Sequence, residues 1–184
     1  MSELQLLFQN TAFEKDVIFL TPYPKKSSLS SAGIHAVYTA LLIDKNDMEN
    51  FLALVDGRFR AEKKRQFNGA AVIQSKSIIG DERLCFMVTD EFEGHVVRLA
   101  TNSLTFLAEI DRQAFLPPPP WIAFKGYNAQ WWGGWMQGAQ GYYDDHYFDP
   151  FFRGLSVERK KAYCIKYSAS PDWEKALDLF YDSD

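Results

Sequence analysis

Residues 84–100 read LCFMVTDEFEGHVVRLA, two short apolar runs separated by a polar segment that contains glycine. Apolar runs such as 84–89 and 95–100 are typical of strands, and an intervening segment of five residues with a glycine is typical of a hairpin loop. The stretch therefore predicts an antiparallel hairpin. Its loop, residues 90–94, contains Asp90, Glu91 and Glu93 and forms a negatively charged tip.

Three other segments are predicted to join this hairpin in a sheet. Residues 16–21 form a short apolar run that Pro22 ends. Residues 34–43 are rich in β-branched residues and leucine, with apolar residues on both alternating faces, as in a central strand. Residues 70–79 alternate loosely. We expect a small antiparallel sheet of three to five strands.

A change of hydrophobic period after Asn46 predicts a helix that extends to the Asn68–Gly69 pair. Asn46 is positioned to cap it. Its apolar stripe consists of Met48, Phe51, Leu52, Val55 and Phe59. A cluster of cations, Arg58, Arg60, Lys63, Lys64 and Arg65, would then lie in the last turns. Cations there complement the helix dipole, so the cluster is most simply a solvated helix end.

The C-terminal third is predicted to be helical. A helix that Asn102 could cap ends before the prolines that follow residue 116, and Ser156 and Ser170 are positioned to cap two further helices. In the last helix one stripe contains Trp173, Ala176, Leu177, Phe180 and Tyr181. Strands followed by helices indicate an α+β fold.

The run from Pro117 to Pro120 divides the chain by composition, because all five tryptophans follow it. We expect one domain over residues 1–184, with a subdivision into an α/β part (1–116) and an aromatic-rich helical part (121–184) as an alternative. Four prolines in polyproline II geometry would form a stiff spacer of roughly 12 Å between them.

Composition restricts the compartment and the class of partner. No signal peptide or membrane-spanning run is recognisable, and Cys85 and Cys164 are too few for a disulfide framework, so we expect a soluble cytoplasmic protein without a membrane partner. The formal net charge of −4 argues against general nucleic acid binding.

The aromatic region after the prolines is the first candidate site. It contains Trp131, Trp132, Trp135, Tyr142 and Tyr143 among several glycines. Tryptophan and tyrosine bury a large area at low entropic cost and therefore often anchor protein interfaces. The same side chains could instead form a second hydrophobic core, or stack on sugars or bases.

The second candidate is the polar segment with Asp144, Asp145, His146 and Asp149. Carboxylates beside an imidazole could bind a divalent cation or support acid–base catalysis. The spacing matches no established ligand pattern, and a polar turn explains it equally well. No nucleophile motif or phosphate-binding loop is recognisable, and no cofactor is expected.

These observations favour a non-catalytic cytoplasmic module that binds another protein through residues 121–152. A small acidic chain without a catalytic motif resembles, in profile alone, bacterial inhibitor or immunity proteins that mask a basic partner. Two alternatives stay open: a small hydrolase, metal-assisted or not, that uses residues 144–149, and a carbohydrate or nucleic acid binder that stacks its ligand. A homodimer would also use such an aromatic surface.

Overall fold

A computed structural model describes residues 2–9, 11 and 22–181 of this chain. In these ranges, six strands form one antiparallel sheet in the order β1-β2-β6-β5-β4-β3. The strands are β1 (Lys26–Ser28), β2 (Val37–Asp44), β3 (Phe59–Phe67), β4 (Ala70–Ser77), β5 (Arg83–Glu91) and β6 (Gly94–Thr101). The prediction of three to five strands was therefore wrong. The predicted strand at 16–21 lies outside the described residues.

The largest correction concerns residues 46–69, which are not one helix. A helix covers only Met48–Asp56, and the chain then turns at Gly57 into strand β3. The basic cluster consequently lies on an edge strand, where most side chains from Arg60 to Phe67 are exposed. Lysine and arginine on an edge strand hinder pairing with strands of other molecules.

The hairpin of β5 and β6 has a tighter loop than predicted. Only Phe92 and Glu93 connect the two strands, and both have a φ of 56°. Gly94 begins β6 against the neighbouring strand, where a Cβ atom would lie 2.6 Å from the carbonyl oxygen of Ile43. A side chain at this position would separate β6 from β2.

Helices precede, interrupt and follow the sheet. Their bounds are α1 (Glu3–Leu7), α2 (Met48–Asp56), α3 (Leu104–Gln113), α4 (Pro120–Ala123), α5 (Gly138–Tyr143), α6 (Asp149–Arg153), α7 (Val157–Lys166) and α8 (Pro171–Tyr181). A π-helical turn, Asp144–Phe148, joins α5 to α6. Ser103, rather than Asn102, caps α3, whereas Ser156 caps α7 as predicted.

One face of the sheet packs against α2 and α3. We call the buried residues between them the sheet core: Val37, Leu41, Ile43, Phe51, Val55, Phe59, Leu84, Phe86, Val97, Leu99, Phe106, Leu107, Ile110 and Phe115. This arrangement follows from the alternation of β2 and β6, whose odd-numbered residues point to this face.

The C-terminal third covers one end of the opposite face. We call its buried residues the aromatic core: Leu42, Val96, Ala129, Trp132, Tyr143, Tyr147, Phe148, Phe151, Phe152, Tyr163, Cys164, Trp173, Leu177 and Tyr181. Helix α1 covers the other end, where Phe8 packs near Ile34, Ala36 and Ala100. Cys85 and Cys164 are buried and unbridged.

The proline run lies inside this packing. Pro117, Pro118, Pro119 and Pro120 are all buried. The Tyr163 hydroxyl donates to the Pro117 carbonyl at 2.7 Å, and the Tyr143 hydroxyl donates to the Pro118 carbonyl at 2.6 Å. These bonds satisfy buried carbonyls that would otherwise be costly. The run is thus packed against the aromatic core.

Candidate functional site

The predicted aromatic site separates into a buried and an exposed set. Trp132 and Tyr143 belong to the aromatic core, with their ring centroids 6.0 Å apart in an edge-to-face arrangement. Trp131, Trp135 and Tyr142, by contrast, face the solvent. Both interpretations of this region, second core and exposed surface, therefore apply to different side chains.

A short loop presents the two exposed tryptophans. Trp131 ends a 3₁₀ turn and is 68% exposed, and Trp135 is 100% exposed. Between them, Trp132 inserts into the core, where its indole N–H donates to the Tyr181 hydroxyl at 2.9 Å. Gly133, at φ 83°, lies against the Phe180 ring, where a Cβ atom would come within 1.9 Å of a ring carbon. The loop is thus anchored at its centre.

Tyr142 is the third exposed ring and lies on α5. It is 40% exposed and packs against the imidazole of His146, one turn later, at a centroid distance of 4.3 Å and an interplanar angle of 31°. Its hydroxyl lies 3.4 Å from that of Tyr147. Phe92, from the tip of the β5–β6 hairpin, contacts both Tyr142 and Tyr143. The hairpin tip therefore packs against both tyrosines through Phe92.

The polar segment, residues 144–149, does not gather its side chains at one point. Asp145 and His146 are exposed, whereas Asp144 is buried. Asp149 pairs with Arg153 at 2.7 Å. Consecutive helical positions point in different directions, which explains the divergence. Among the described residues, we find no group of three or more histidine, cysteine or acidic side chains that could hold a metal ion.

Asp144 is nevertheless unusual, because this acidic residue is only 6% exposed. The Tyr181 hydroxyl donates to it at 2.5 Å. Burial raises the pKa of Asp144 to about 6, and the bond from Tyr181 offsets part of that increase. Burial and the neighbouring Asp144 also raise the pKa of Tyr181. The chain of bonds from Trp132 through Tyr181 to Asp144 joins the tryptophan loop to α5 and α8.

Acidic residues around the site differ in their pairing. At the hairpin tip, Asp90 contacts His95 at 2.7 Å, Glu91 pairs with Arg98 at 2.9 Å, and Glu93 pairs with Lys45 at 2.9 Å. The predicted negative tip is therefore largely neutralised. Helix α8, which contacts the 3₁₀ turn before Trp132, carries three exposed acids on its solvent side. They are Asp172, Glu174 and Asp178.

Comparisons with models of protein families, with curated proteins and with solved structures find no match for this chain. Within the part of the chain that the structure describes, no helix combines the length and apolarity needed to cross a bilayer.

Sequence reasoning missed two features of this region. One is the Trp132–Tyr181–Asp144 chain, whose two bonds join residues 49 and 37 positions apart in sequence. The other is a cleft of about 430 Å³ between α3 and α7. Neither feature has a local motif. The sequence did contain a signal for one part of this region. The helical period of apolar residues along α8 correctly predicted that Trp173, Leu177 and Tyr181 share a buried stripe.

Proposed function

We propose that this chain is a non-catalytic protein-binding module whose contact surface is centred on Trp131 and Trp135. The observation that carries this proposal is the exposure of two tryptophan rings, 68% and 100%, on a loop whose central residues are fixed in the core. Scattered exposed apolar residues are normal on proteins, but tryptophan is the residue type most enriched at binding hot spots.

The anchoring of the loop favours binding energetically. Covering one tryptophan side chain removes roughly 150–250 Å² from water, worth about 4–6 kcal/mol at ~25 cal/mol per Å². Association costs about 4–15 kcal/mol in lost freedom, so two rings form the centre of an interface and not all of it. Because Trp132 and Gly133 already fix the loop, little further ordering of its backbone is needed on binding.

The charges near the loop favour a basic partner. Helix α8 packs beside the loop, and its exposed acids Asp172, Glu174 and Asp178 outnumber its one cation, Lys175, so this helix would attract cations over about a Debye length, although Glu174 and Asp178 share a hollow with Lys160 and Lys161 of α7. Such acidic flanks accelerate encounter with a positively charged protein. A protein that masks a basic partner, as inhibitors and immunity proteins do, is the specific form of this proposal.

The test compares three baits in quantitative affinity capture followed by direct titration. The baits are the native chain, the double variant Trp131→Ala/Trp135→Ala, and Ile79→Ala as a control. Ile79 is 88% exposed but lies in the β4–β5 connection. We expect a basic protein that the native chain and Ile79→Ala retain and that the double variant loses.

The captured protein is then purified and titrated calorimetrically at low and high salt. We expect an affinity loss of at least about 30-fold for the double variant and weaker binding at high salt. Equal affinity for all three baits would overturn the proposal. Quenching of tryptophan fluorescence by glycans or oligonucleotides, without a protein partner, would instead favour the stacking alternative. Light scattering that shows a dimer dissociated by the double substitution would assign the surface to self-association.

A further inference from the structure

A second feature is the cleft of about 430 Å³ between α3 and α7. Its lining does not include Trp131, Trp135 or the residues between them. Its volume lies in the range of small-molecule sites, about 300–1,000 Å³. The walls come from both cores, since Leu41, Ile110 and Phe115 belong to the sheet core and Phe151 and Tyr163 to the aromatic core. Clefts at the junction of two packed units are frequent ligand sites.

The interior of the cleft is suited to an apolar ligand group. Leu41, Ile110, Phe115 and Phe151 present hydrocarbon and aromatic surface. The two tyrosine hydroxyls in its walls are already bonded elsewhere. The Tyr163 hydroxyl donates to Pro117, and the Tyr23 hydroxyl donates to the carbonyl of Leu42 at 3.1 Å. A polar ligand group placed among these side chains would lose its hydrogen bonds to water without replacement.

The rim of the cleft is positively charged. Arg159, Ala162, Tyr163 and Lys166 follow one another at i, i+3, i+4 and i+7 on α7, so the two cations flank Ala162 on one face. Among the described residues, no carboxylate lies within ion-pair distance of either cation, although Lys166 also lies over the Tyr167 ring.

The acidic group in the lining does not cancel this charge. Asp111 pairs with Lys26 at 2.6 Å, and the Lys26 side chain is only 1% exposed. Asp111 is thus already engaged by Lys26, and it is the one carboxylate among the described lining residues, which also include the two cations Arg159 and Lys166. A local excess of cations beside an apolar cleft complements an anion that carries an apolar body.

We propose that this cleft binds a single-tailed amphiphile with an anionic head group, whose tail enters between the two cores and whose head contacts Arg159 and Lys166. This site is independent of the tryptophan loop, so neither proposal depends on the other. Charged hydrogen bonds at the rim would select the anion, and apolar contact in the interior would supply most of the affinity.

Calorimetric titration below the micellar range tests the proposal with four probes of equal tail length. They are dodecanoate, dodecyl phosphate, 1-dodecanol and dodecyltrimethylammonium. We expect both anions to bind more tightly than the alcohol and the cation to bind weakest. The order of the two anions distinguishes a carboxylate from a phosphate ligand. Equal affinity for all four probes, or binding of none, would overturn the proposal.

Variants separate the two parts of the site. Arg159→Gln/Lys166→Gln should reduce the affinity for dodecanoate about tenfold and leave dodecanol unchanged. Lys161→Gln is the matched control, because Lys161 lies on the same helix outside the cleft lining. Ala162→Phe should abolish binding of both probes. Ala162 is exposed on α7, so we expect the larger side chain to be compatible with folding, and circular dichroism of the variant checks this. Unchanged affinities in the double variant or in Ala162→Phe would contradict the site.

Discussion

The two cores of this protein differ in the interactions that stabilise their buried side chains. The sheet core consists of aliphatic side chains and phenylalanine, with no polar side-chain atom among its members. The aromatic core contains four tyrosines and two tryptophans, and its hydroxyl groups bond to Pro117, Pro118 and Asp144. The first core therefore depends on apolar burial alone, whereas the second also depends on completed hydrogen bonds and on the charge of one carboxylate.

Truncation of Phe51 in the sheet core should lower the free energy of unfolding more than the other substitutions predicted below. Phe51 is fully buried and contacts the rings of Phe86 and Phe115. Phe51→Ala should lower the free energy of unfolding by about 3–5 kcal/mol, measured by urea denaturation. The control Leu52→Ala changes an exposed neighbour on the same helix and should cost little. Equal losses in both variants would show that α2 does not anchor this core.

The charge of Asp144 should give the aromatic core a pH dependence that the sheet core lacks. Its pKa is raised from an ordinary 3.8 to about 6, so the folded state holds a proton that the unfolded state releases. Folding stability should consequently fall as pH rises from about 4 to 6, by about 3 kcal/mol in total from this group.

Asp144→Asn removes this titration and keeps an oxygen acceptor for the Tyr181 hydroxyl. We expect the variant to be more stable than the native chain at pH 7, with the difference shrinking toward pH 4. Urea denaturation at pH 4.5 and pH 7 measures it. Asp145→Asn, at an exposed neighbour, should show no such change in the difference. Parallel curves for the native chain and Asp144→Asn would contradict the assignment.

A single hydroxyl tests the hydrogen bonds of the aromatic core. Tyr143→Phe keeps the ring but leaves the buried Pro118 carbonyl without its donor, so it should cost about 1–3 kcal/mol in urea denaturation. Tyr142→Phe removes a hydroxyl from a partly exposed ring and serves as the control. A loss no greater than in the control would mean that water replaces the Tyr143 hydroxyl at the proline run.

The smallest effect on stability should follow substitution of the exposed tryptophans. Trp131→Ala/Trp135→Ala removes side chains that face the solvent, and we expect the free energy of unfolding to change by less than about 1 kcal/mol. Trp132→Ala, in the same loop, should be strongly destabilising because that ring is buried among Phe124, Tyr127, Tyr143 and Trp173. If both changes destabilise equally, the loop is not divided as described.

Strands β1 and β3 were not predicted from the sequence because both lie at the edges of the sheet and are largely exposed. Strand β3 has few inward apolar residues, so Phe59 fits the preceding helical stripe as well as it fits a strand. Strand β1 contains only Lys26, Ser27 and Ser28, which are polar and offer no apolar alternation. A strand at the edge of a sheet lacks the alternation on which prediction depends. The central hairpin, whose strand β6 contributes buried residues to both faces of the sheet, was predicted correctly in position.

The site was predictable as a region but not as individual residues. Trp131 and Trp132 are adjacent, as are Tyr142 and Tyr143, and in each pair one ring is buried and the other exposed. Composition identifies such a region because aromatic density is visible in sequence. Which member faces inward depends on the position of α8 and of the hairpin tip, and both contacts are distant in sequence. The cleft could not be predicted for the same reason.

The buried proline run has a consequence for proteolysis. Proteases that bind their substrate as an extended strand pair with its backbone N–H groups, and residues 117–120 have none to offer. Two of the four carbonyls are already occupied by tyrosine hydroxyls. Proteases cut folded proteins most easily at exposed loops, whereas the composition boundary of this chain is buried. We therefore expect limited proteolysis of the folded chain to leave its two compositionally distinct parts joined at the proline run.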